Sequence, residues 1–245
     1  MIYAQKKALF ERVFKVYNTW LMRRFFRGVL VQHAEALHTE GRPLLLYGNH
    51  SNWWDGLVVF HLNSTLWKKD AYLMMEEKGL RQYPFFRKLG AYSIHAESTS
   101  EIRKSLRYTA ERLTHPGSLV CLYPQGKILH QDARPLAFRP GISWLLRHAP
   151  HALVCPMATY YGFREDQRPE VFVTFGTPRS VQDVLAAAQD PTGVLEEELT
   201  QLLDSLQRQV VANVGGEPLP GFRNLLQGAS STGDRYRAVF RRGLE

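Results

Sequence analysis

The sequence predicts an α/β fold, a mostly parallel central sheet flanked by helices with an N-terminal amphipathic helical segment, and three observations lead to it. From residue 43 onward, short apolar runs alternate with longer segments of helical periodicity. The short runs are apolar along most of their length, as strands covered on both faces are. The chain has 245 residues, 44% hydrophobic and 22% charged, enough to bury one such core with modest extensions but not two unrelated domains.

Taken in order, PLLLYG (43–48) predicts a buried strand and DGLVVFHLN (55–63) a helix. AYLMM (71–75) predicts a strand, KGLRQYPFFRKL (78–89) a short helix interrupted at Pro84, and AYSI (91–94) another strand. SEIRKSLRYTAERL (100–113) is a well-patterned helix ended by His115-Pro116-Gly117. SLVCLY (118–123) predicts a buried strand, GISWLLRHA (141–149) a helix, and 152–161 and 170–176 two further strands. Residues 192–213 predict a long C-terminal helix, and the chain after Pro218 reads as a loop-like tail with a basic end.

Ahead of this body, Phe10, Val13, Phe14, Tyr17 and Leu21 share one helical face, with Arg12, Lys15, Thr19 and Arg23 opposite. WLMRRFFRGVLV (20–31) mixes aromatics with arginines, the composition of a helix lying in a membrane interface. A helix that caps the core has the same pattern. Charge separates the two readings: residues 1–42 carry eight Lys/Arg against three Asp/Glu, and 221–245 carry five against two, while 43–220 have 18 of each. The excess of +8 therefore belongs to the ends. The chain divides into a basic membrane-interface segment (1–42), an α/β body (43–220) and a basic tail (221–245), with an anionic membrane surface as the expected partner. Nucleic acid is not expected, because the body is neutral overall and has no interleaved basic-aromatic RNA motif. No signal peptide is evident, and no uncharged run reaches the roughly 18 to 20 residues that span a bilayer. Cys121 and Cys155, the two cysteines, lie in apolar runs without disulfide or zinc spacing, which points to a reducing compartment and no metal site.

Two turns carry candidate chemistry. In YGNHSNWWDG (47–56), His50 follows a strand and Asp55 comes five residues later, about 140° apart on one continuous helix. The two meet only if His50 stands before the helix and Asp55 reaches back from its first turn, a corner that Gly48, Asn49 and Ser51 suit. Asp55 would then fix the imidazole tautomer and leave the other nitrogen to take a hydroxyl proton. The alternative is a helix-capping Asp55 beside a hydrogen-bonded corner histidine. In LYPQGKI (122–128), Pro124 and Gly126 can turn the backbone amides toward a ligand, with Gln125 and Lys127 adding donors. Arg134 and Arg139 follow as candidate phosphate ligands. Serine-hydrolase, nucleotide-phosphate and zinc-enzyme motifs are absent.

These blocks resemble the glycerolipid acyltransferase family, typified by 1-acylglycerol-3-phosphate acyltransferases. Its N-H-x-x-x-x-D motif matches Asn49 to Asp55, and its F-P-E-G-T-R motif aligns with Tyr123-Pro124-Gln125-Gly126-Lys127-Ile128. G-x-I-x-I-D-R is echoed at residues 90–96, and the apolar strand with proline at 153–157. The resemblance covers 43–176 and implies an O-acyltransferase of phospholipid biosynthesis. His50 is the general base, oriented by Asp55, and the acceptor hydroxyl attacks acyl-CoA or acyl-carrier protein with no acyl-enzyme and no further cofactor. Amides near Gly126 would stabilise the oxyanion, and Asn49, Tyr123, Pro124, Gln125, Gly126, Lys127, Arg134 and Arg139 would bind substrate. It also implies a peripheral or monotopic place on the cytoplasmic face of the cell membrane. The family's two phosphate-binding arginines fall on Ala96 and Ile128, and its glutamate on Gln125. The bidentate phosphate grip is therefore missing, and the expected acceptor widens to neutral, zwitterionic or glycolipid hydroxyls. An acyl thioesterase, with water as acceptor, and a non-catalytic basic lipid-binding protein are the alternatives.

Overall fold

A computed structural model describes residues 1–37, 39–213, 215, 219–229 and 232–233. Helix α1 (Ala8–Phe25) leads into β1 (Gly28–Gln32), followed by β2 (Leu44–Gly48), α2 (Asp55–Leu62), β3 (Asp70–Glu76), α3 (Glu77–Gln82) and β4 (Ala91–Ile94). Then come α4 (Thr99–Arg112), β5 (Ser118–Leu122), α5 (Gly141–His148), β6 (Leu153–Gly162) and β7 (Glu170–Phe175). A two-residue β8 (Arg179–Ser180), α6 (Val181–Ala187), α7 (Pro191–Ala212) and β9 (Arg223–Gln227) complete the order. The strands form one sheet in the order β4-β3-β5-β2-β6-β7-β1-β9, with β8 paired to β6. From β4 to β6 every pairing is parallel, whereas β6–β7 and β1–β9 are antiparallel. The fold is thus a mixed α/β sheet, mostly parallel, flanked by helices.

Alternation along the strands sorts side chains onto two faces. Leu45 and Tyr47 of β2, with Val120, Leu122, Val154 and Phe172, pack under α4 to α7. Leu44 and Leu46, with Leu119, Cys121, Cys155 and Val173, pack under α1 and α2. Burial on both faces explains why these strands are apolar throughout.

Two readings of the ends are corrected. Residues 28–31, the end of the expected interfacial helix at 20–31, belong instead to strand β1, parallel to β7 and antiparallel to β9. A run as short as GVLV has no period to tell helix from strand, and the aromatic-basic stretch before it carried the helical reading too far. Residues 223–227, expected as loop, form β9, an edge strand with one buried residue, Leu226. Sheet therefore extends across both expected segment boundaries, and the basic residues from Arg235 onward lie outside the described residues.

Helix α1 also turns a different face inward. It buries Phe14, Asn18 and Met22. Leu9, Val13, Val16 and Trp20, on the opposite side at 100° per residue, are 55–73% exposed. The inner face meets α2, where Asn18 Nδ2 donates to the Leu57 carbonyl at 3.1 Å and the Phe14 ring lies edge-on to Phe60 at 5.1 Å. No helix among the described residues is long and apolar enough to cross a membrane.

His61 of α2 is 3% exposed, and among the described residues neither ring nitrogen has a hydrogen-bond partner. Burial, reinforced by Lys15 and Arg23 of α1, lowers its pKa from 6.5 to about 4. The folded protein holds it neutral, so between those values the unfolded chain binds a proton that the folded one refuses, and stability falls as pH falls. His61→Leu removes the titration without breaking a hydrogen bond. Urea midpoints at pH 7 and pH 5 should differ less in this variant than in the unmodified protein.

Candidate active site

Strands β2 and β5 run side by side in parallel, with Tyr47 opposite Leu122, so the turns that follow them emerge together at one edge of the sheet. This edge, where strands end and helices begin, is where open α/β sheets gather ligands. The backbone N–H of His50 donates to Gln125 Oε1 at 2.5 Å, and the Leu129 N–H donates to the His50 carbonyl at 3.0 Å. The His50 ring stacks on Tyr123 with centroids 4.5 Å apart.

His50 stands ahead of α2, and Asp55 opens that helix and reaches back. Their separation is 2.7 Å, from His50 Nδ1 to Asp55 Oδ2. The same oxygen accepts the N–H groups of Ser51 at 2.7 Å and Asn52 at 3.0 Å. Asp55 Oδ1 accepts the hydroxyl of Tyr161, on β6, at 2.7 Å. Burial, with Asp55 adding to it, pushes the Tyr161 phenol well above its ordinary range, which keeps it a donor. Asp55 is 1% exposed, whereas the His50 side chain is 26% exposed. An ionised carboxylate only accepts, so Nδ1 carries the ring proton and Nε2 keeps its lone pair. Nε2 makes no hydrogen bond among the described residues, so it is placed to take a proton from an incoming group. The alternative of a helix-capping Asp55 is not what the structure has: α2 carries no side-chain cap, and the carboxylate instead gathers the N–H groups of the turn ahead of the helix.

The remaining candidates separate. Asn49 was expected to bind substrate but is a structural clamp: it is 2% exposed, and its amide exchanges two 2.9 Å hydrogen bonds with the Thr159 backbone. Arg134, expected to hold phosphate, forms an ion pair with Asp204 of α7 and donates to the Gln131 and Ala133 carbonyls. The Gly126 N–H, expected near an oxyanion, donates to the Tyr123 carbonyl at 3.0 Å. Pro124 is buried, and its carbonyl accepts the Arg139 N–H at 2.9 Å. Lys127 and Arg139 are exposed at the turn. At Gly126, with φ +68°, a Cβ would lie 2.7 Å from Arg139 Nε, so this turn closes over the guanidinium only with glycine.

Sequence reasoning missed Tyr161, and nothing local marks it, since it is one of two adjacent tyrosines on a strand. Trp54 packs on Phe26 and Phe25 at 4.8 and 5.4 Å, while Trp53, edge-on to it at 5.3 Å, is 49% exposed. A concavity of about 350 Å³ beside Thr39, Trp67 and Lys69 lies at the other end of the strands, away from His50. Among the described residues, no three His, Cys, Asp or Glu side chains converge as metal ligands.

Fold and site define an α/β protein with a buried aspartate orienting a histidine where parallel strands end. A family model described as acyltransferase matches residues 28–160, and the chain belongs to that family. Acyl transfer is therefore the reaction this fold serves. Among solved structures, the chain is similar to the 1-acyl-sn-glycerophosphate (LPA) acyltransferase PlsC from Thermotoga maritima. The TM-score is 0.56 at 15% identity, over 81% of this chain and 78% of that one. The Legionella pneumophila ATPase DotB aligns over 75% of this chain and 55% of its own with a TM-score of 0.35 and 12% identity, too low to bear on the fold. No curated protein matches the chain significantly.

Tyr161→Phe deletes one hydrogen bond to a buried carboxylate, an interaction of about 1.5–3 kcal/mol. The variant should unfold at lower urea concentration and should lose activity while remaining folded at neutral pH. An unchanged urea midpoint would mean that this bond does not support Asp55.

Proposed function

We propose that the chain moves a fatty acyl group from acyl-CoA or acyl-carrier protein to the hydroxyl of a lyso-lipid or related lipid acceptor. The observation that carries this reading is the 2.7 Å contact between His50 Nδ1 and Asp55, with Nε2 left free. His50 Nε2 removes the acceptor's hydroxyl proton as the oxygen attacks the thioester carbonyl. The tetrahedral intermediate collapses, the C–S bond breaks, and the thiolate takes the proton back from the imidazolium. With the Gly126 N–H already committed, the backbone N–H groups beside it, those of Gln125, Lys127 and Ile128, are the candidate donors for the oxyanion, since none makes a hydrogen bond among the described residues.

The Thermotoga maritima protein is described as acting on LPA. Here the positions of the family's phosphate-binding arginines are Ala96 and Ile128, and Arg134 is already paired, so of the candidate arginines Arg139 alone still offers a guanidinium to a phosphate. Lys127 and Arg139 supply the cations of this turn. We therefore favour an acceptor other than LPA.

The membrane is the second part of the proposal. Helix α1 buries Phe14, Asn18 and Met22 and leaves a second apolar stripe, with Val13, Val16 and Trp20, exposed. Arg12, Lys15, Arg23 and Arg24 add positive charge on the same helix. Such a helix suits the interface of an anionic leaflet, where its apolar stripe leaves water and its cations meet headgroups. This supports peripheral attachment at the cytoplasmic face.

Incubating purified protein with radiolabelled acyl-CoA and a total lipid extract should yield a labelled lipid. His50→Ala should lower that yield at least a hundredfold without moving the urea midpoint, the scale of a lost general base. Near-normal transfer by His50→Ala overturns the mechanism, and free fatty acid released at a rate indifferent to lipid points to a thioesterase. Val16→Glu combined with Trp20→Glu, both at exposed positions, should reduce co-sedimentation with phosphatidylglycerol-containing vesicles at least tenfold. Equal binding by this variant would place the lipid contact elsewhere.

A further inference from the structure

Residues 39–42 lead into β2, and Lys69 immediately precedes β3, so the concavity of about 350 Å³ that they share lies at the end of the sheet opposite His50. Its size falls at the lower end of ligand sites, which run from about 300 to 1,000 Å³. Leu37, Leu66 and Trp67 supply apolar walls, and Thr39, Glu40 and Lys69 supply the polar groups. Hydrogen bonds hold both sides. Lys69 is fastened to the turn after α2 by a reciprocal pair, from Asn63 Nδ2 to its carbonyl at 3.0 Å and from its N–H to Asn63 Oδ1 at 3.1 Å. Thr39 closes the opposite turn by donating to the Arg42 carbonyl at 2.9 Å, and the Gly41 carbonyl accepts the Gly117 N–H at 2.7 Å.

Lys69 brings a charge that its surroundings do not balance. Its ammonium donates to Thr39 Oγ1, a neutral partner, at 2.6 Å, and the other two of its three protons have no acceptor among the described residues. Glu40 lines the same concavity but lies beyond ion-pairing distance, and no other described carboxylate comes closer. Burial lowers the pKa of Lys69, as expected of an ammonium drawn partly out of water without a counter-ion. An anion bound here would supply that counter-ion.

The walls narrow the class of anion. Leu37, Leu66 and Trp67 pack with the core under α1 and α2, and Lys15 of α1 donates to the Ser64 carbonyl, in the turn that carries Leu66 and Trp67, at 2.9 Å. The concavity therefore lies on the same side of the sheet as the exposed apolar stripe of α1. A phosphate monoester carries about −1.5 to −2, more than one ammonium balances, and would stand beside Glu40. A monocarboxylate matches Lys69 charge for charge, and an alkyl tail gains by covering the apolar walls.

We infer that this concavity binds the carboxylate of a short- to medium-chain fatty acid, with Lys69 as counter-ion and the chain against Leu37, Leu66 and Trp67. The site is separate from the acyl-transfer centre and does not rest on that reading.

Calorimetric titration of the full chain with sodium octanoate, octanol and octyltrimethylammonium tests it. Octanoate should bind saturably at one site, at least tenfold more tightly than octanol, and the cation should not bind. Lys69→Met should weaken octanoate at least tenfold and Lys69→Arg should retain it, with urea midpoints reporting whether each variant folds. A footprint on the unmodified protein removes dependence on the variants: saturating octanoate should slow acetylation of Lys69 by acetic anhydride at least fivefold, read by peptide mass spectrometry, and leave Lys68, its exposed neighbour, unchanged. Octanol binding as tightly as octanoate, undiminished binding by folded Lys69→Met, or an unprotected Lys69 overturns the inference. Loss of octanoate binding in His50→Ala with retention in Lys69→Met would put the acid at the catalytic corner and overturns it too. Absence of saturable binding does the same, and none of these outcomes bears on acyl transfer.

Discussion

The site depends on how a buried carboxylate is satisfied. Asp55 is 1% exposed, and an unpaired charge at that depth would cost several kcal/mol. It is met by four donors: the N–H groups of Ser51 and Asn52, His50 Nδ1 and the Tyr161 hydroxyl. Three belong to the turn before α2, so the carboxylate closes that turn by the same contacts that aim the histidine. The fourth comes from β6, next to β2 in the sheet, and ties the turn to the body. Solvation of one charge therefore produces both the local fold and the histidine's orientation. Loss of any one of these donors disturbs both.

The second level of support lies outside the turns. Asn49 fastens the start of the corner to Thr159 of β6, two residues before the tyrosine that meets Asp55. Glu196 of α7 accepts the N–H groups of Ala137 and Phe138, in the loop that carries Arg139. Arg134, in the same loop, pairs with Asp204, one helical stretch further along α7. Glu198 accepts the hydroxyl of Tyr47, the strand residue three before His50. Helix α7 thus holds both the strand beneath the histidine and the loop beside Gly126. Polar residues that looked available for a ligand are in several cases the fastenings of the site.

Residues 43–213 were largely legible because their strands are buried on both faces and their helices carry a clear period, so local pattern and tertiary environment agree. The His50–Asp55 contact was legible as a condition: five residues apart, the two can meet only across a helix start, and the structure has that geometry. β1 and β9 were not legible, because a short apolar run beside an aromatic-basic helix has no period of its own, and an edge strand with one buried residue has almost no apolar signature. Tyr161 and the engagement of Arg134 were hidden for another reason. Each partner is distant in sequence, 106 residues away for Tyr161 and 70 for Arg134, and residue type does not reveal such pairing.

Helix α1 joins these levels. The spacing of its apolar residues was visible, but the face it would bury was not, since one helix carries Phe14 and Met22 on one side and Val13, Val16 and Trp20 on the other. The side with Asn18, whose amide finds the Leu57 carbonyl, packs inward with Phe14 and Met22, and the stripe of Val13, Val16 and Trp20 stays outside. The end of the helix then meets the site directly: Phe25 and Phe26 hold Trp54, Trp54 supports the half-exposed Trp53, and both tryptophans lie between His50 and Asp55 in the chain. A helix seated in a lipid interface would carry this aromatic contact with it and set the histidine turn beside the membrane. The exposed stripe and the two tryptophans are thus joined to the buried aspartate's histidine by one continuous packing that runs from Phe25 and Phe26 through Trp54.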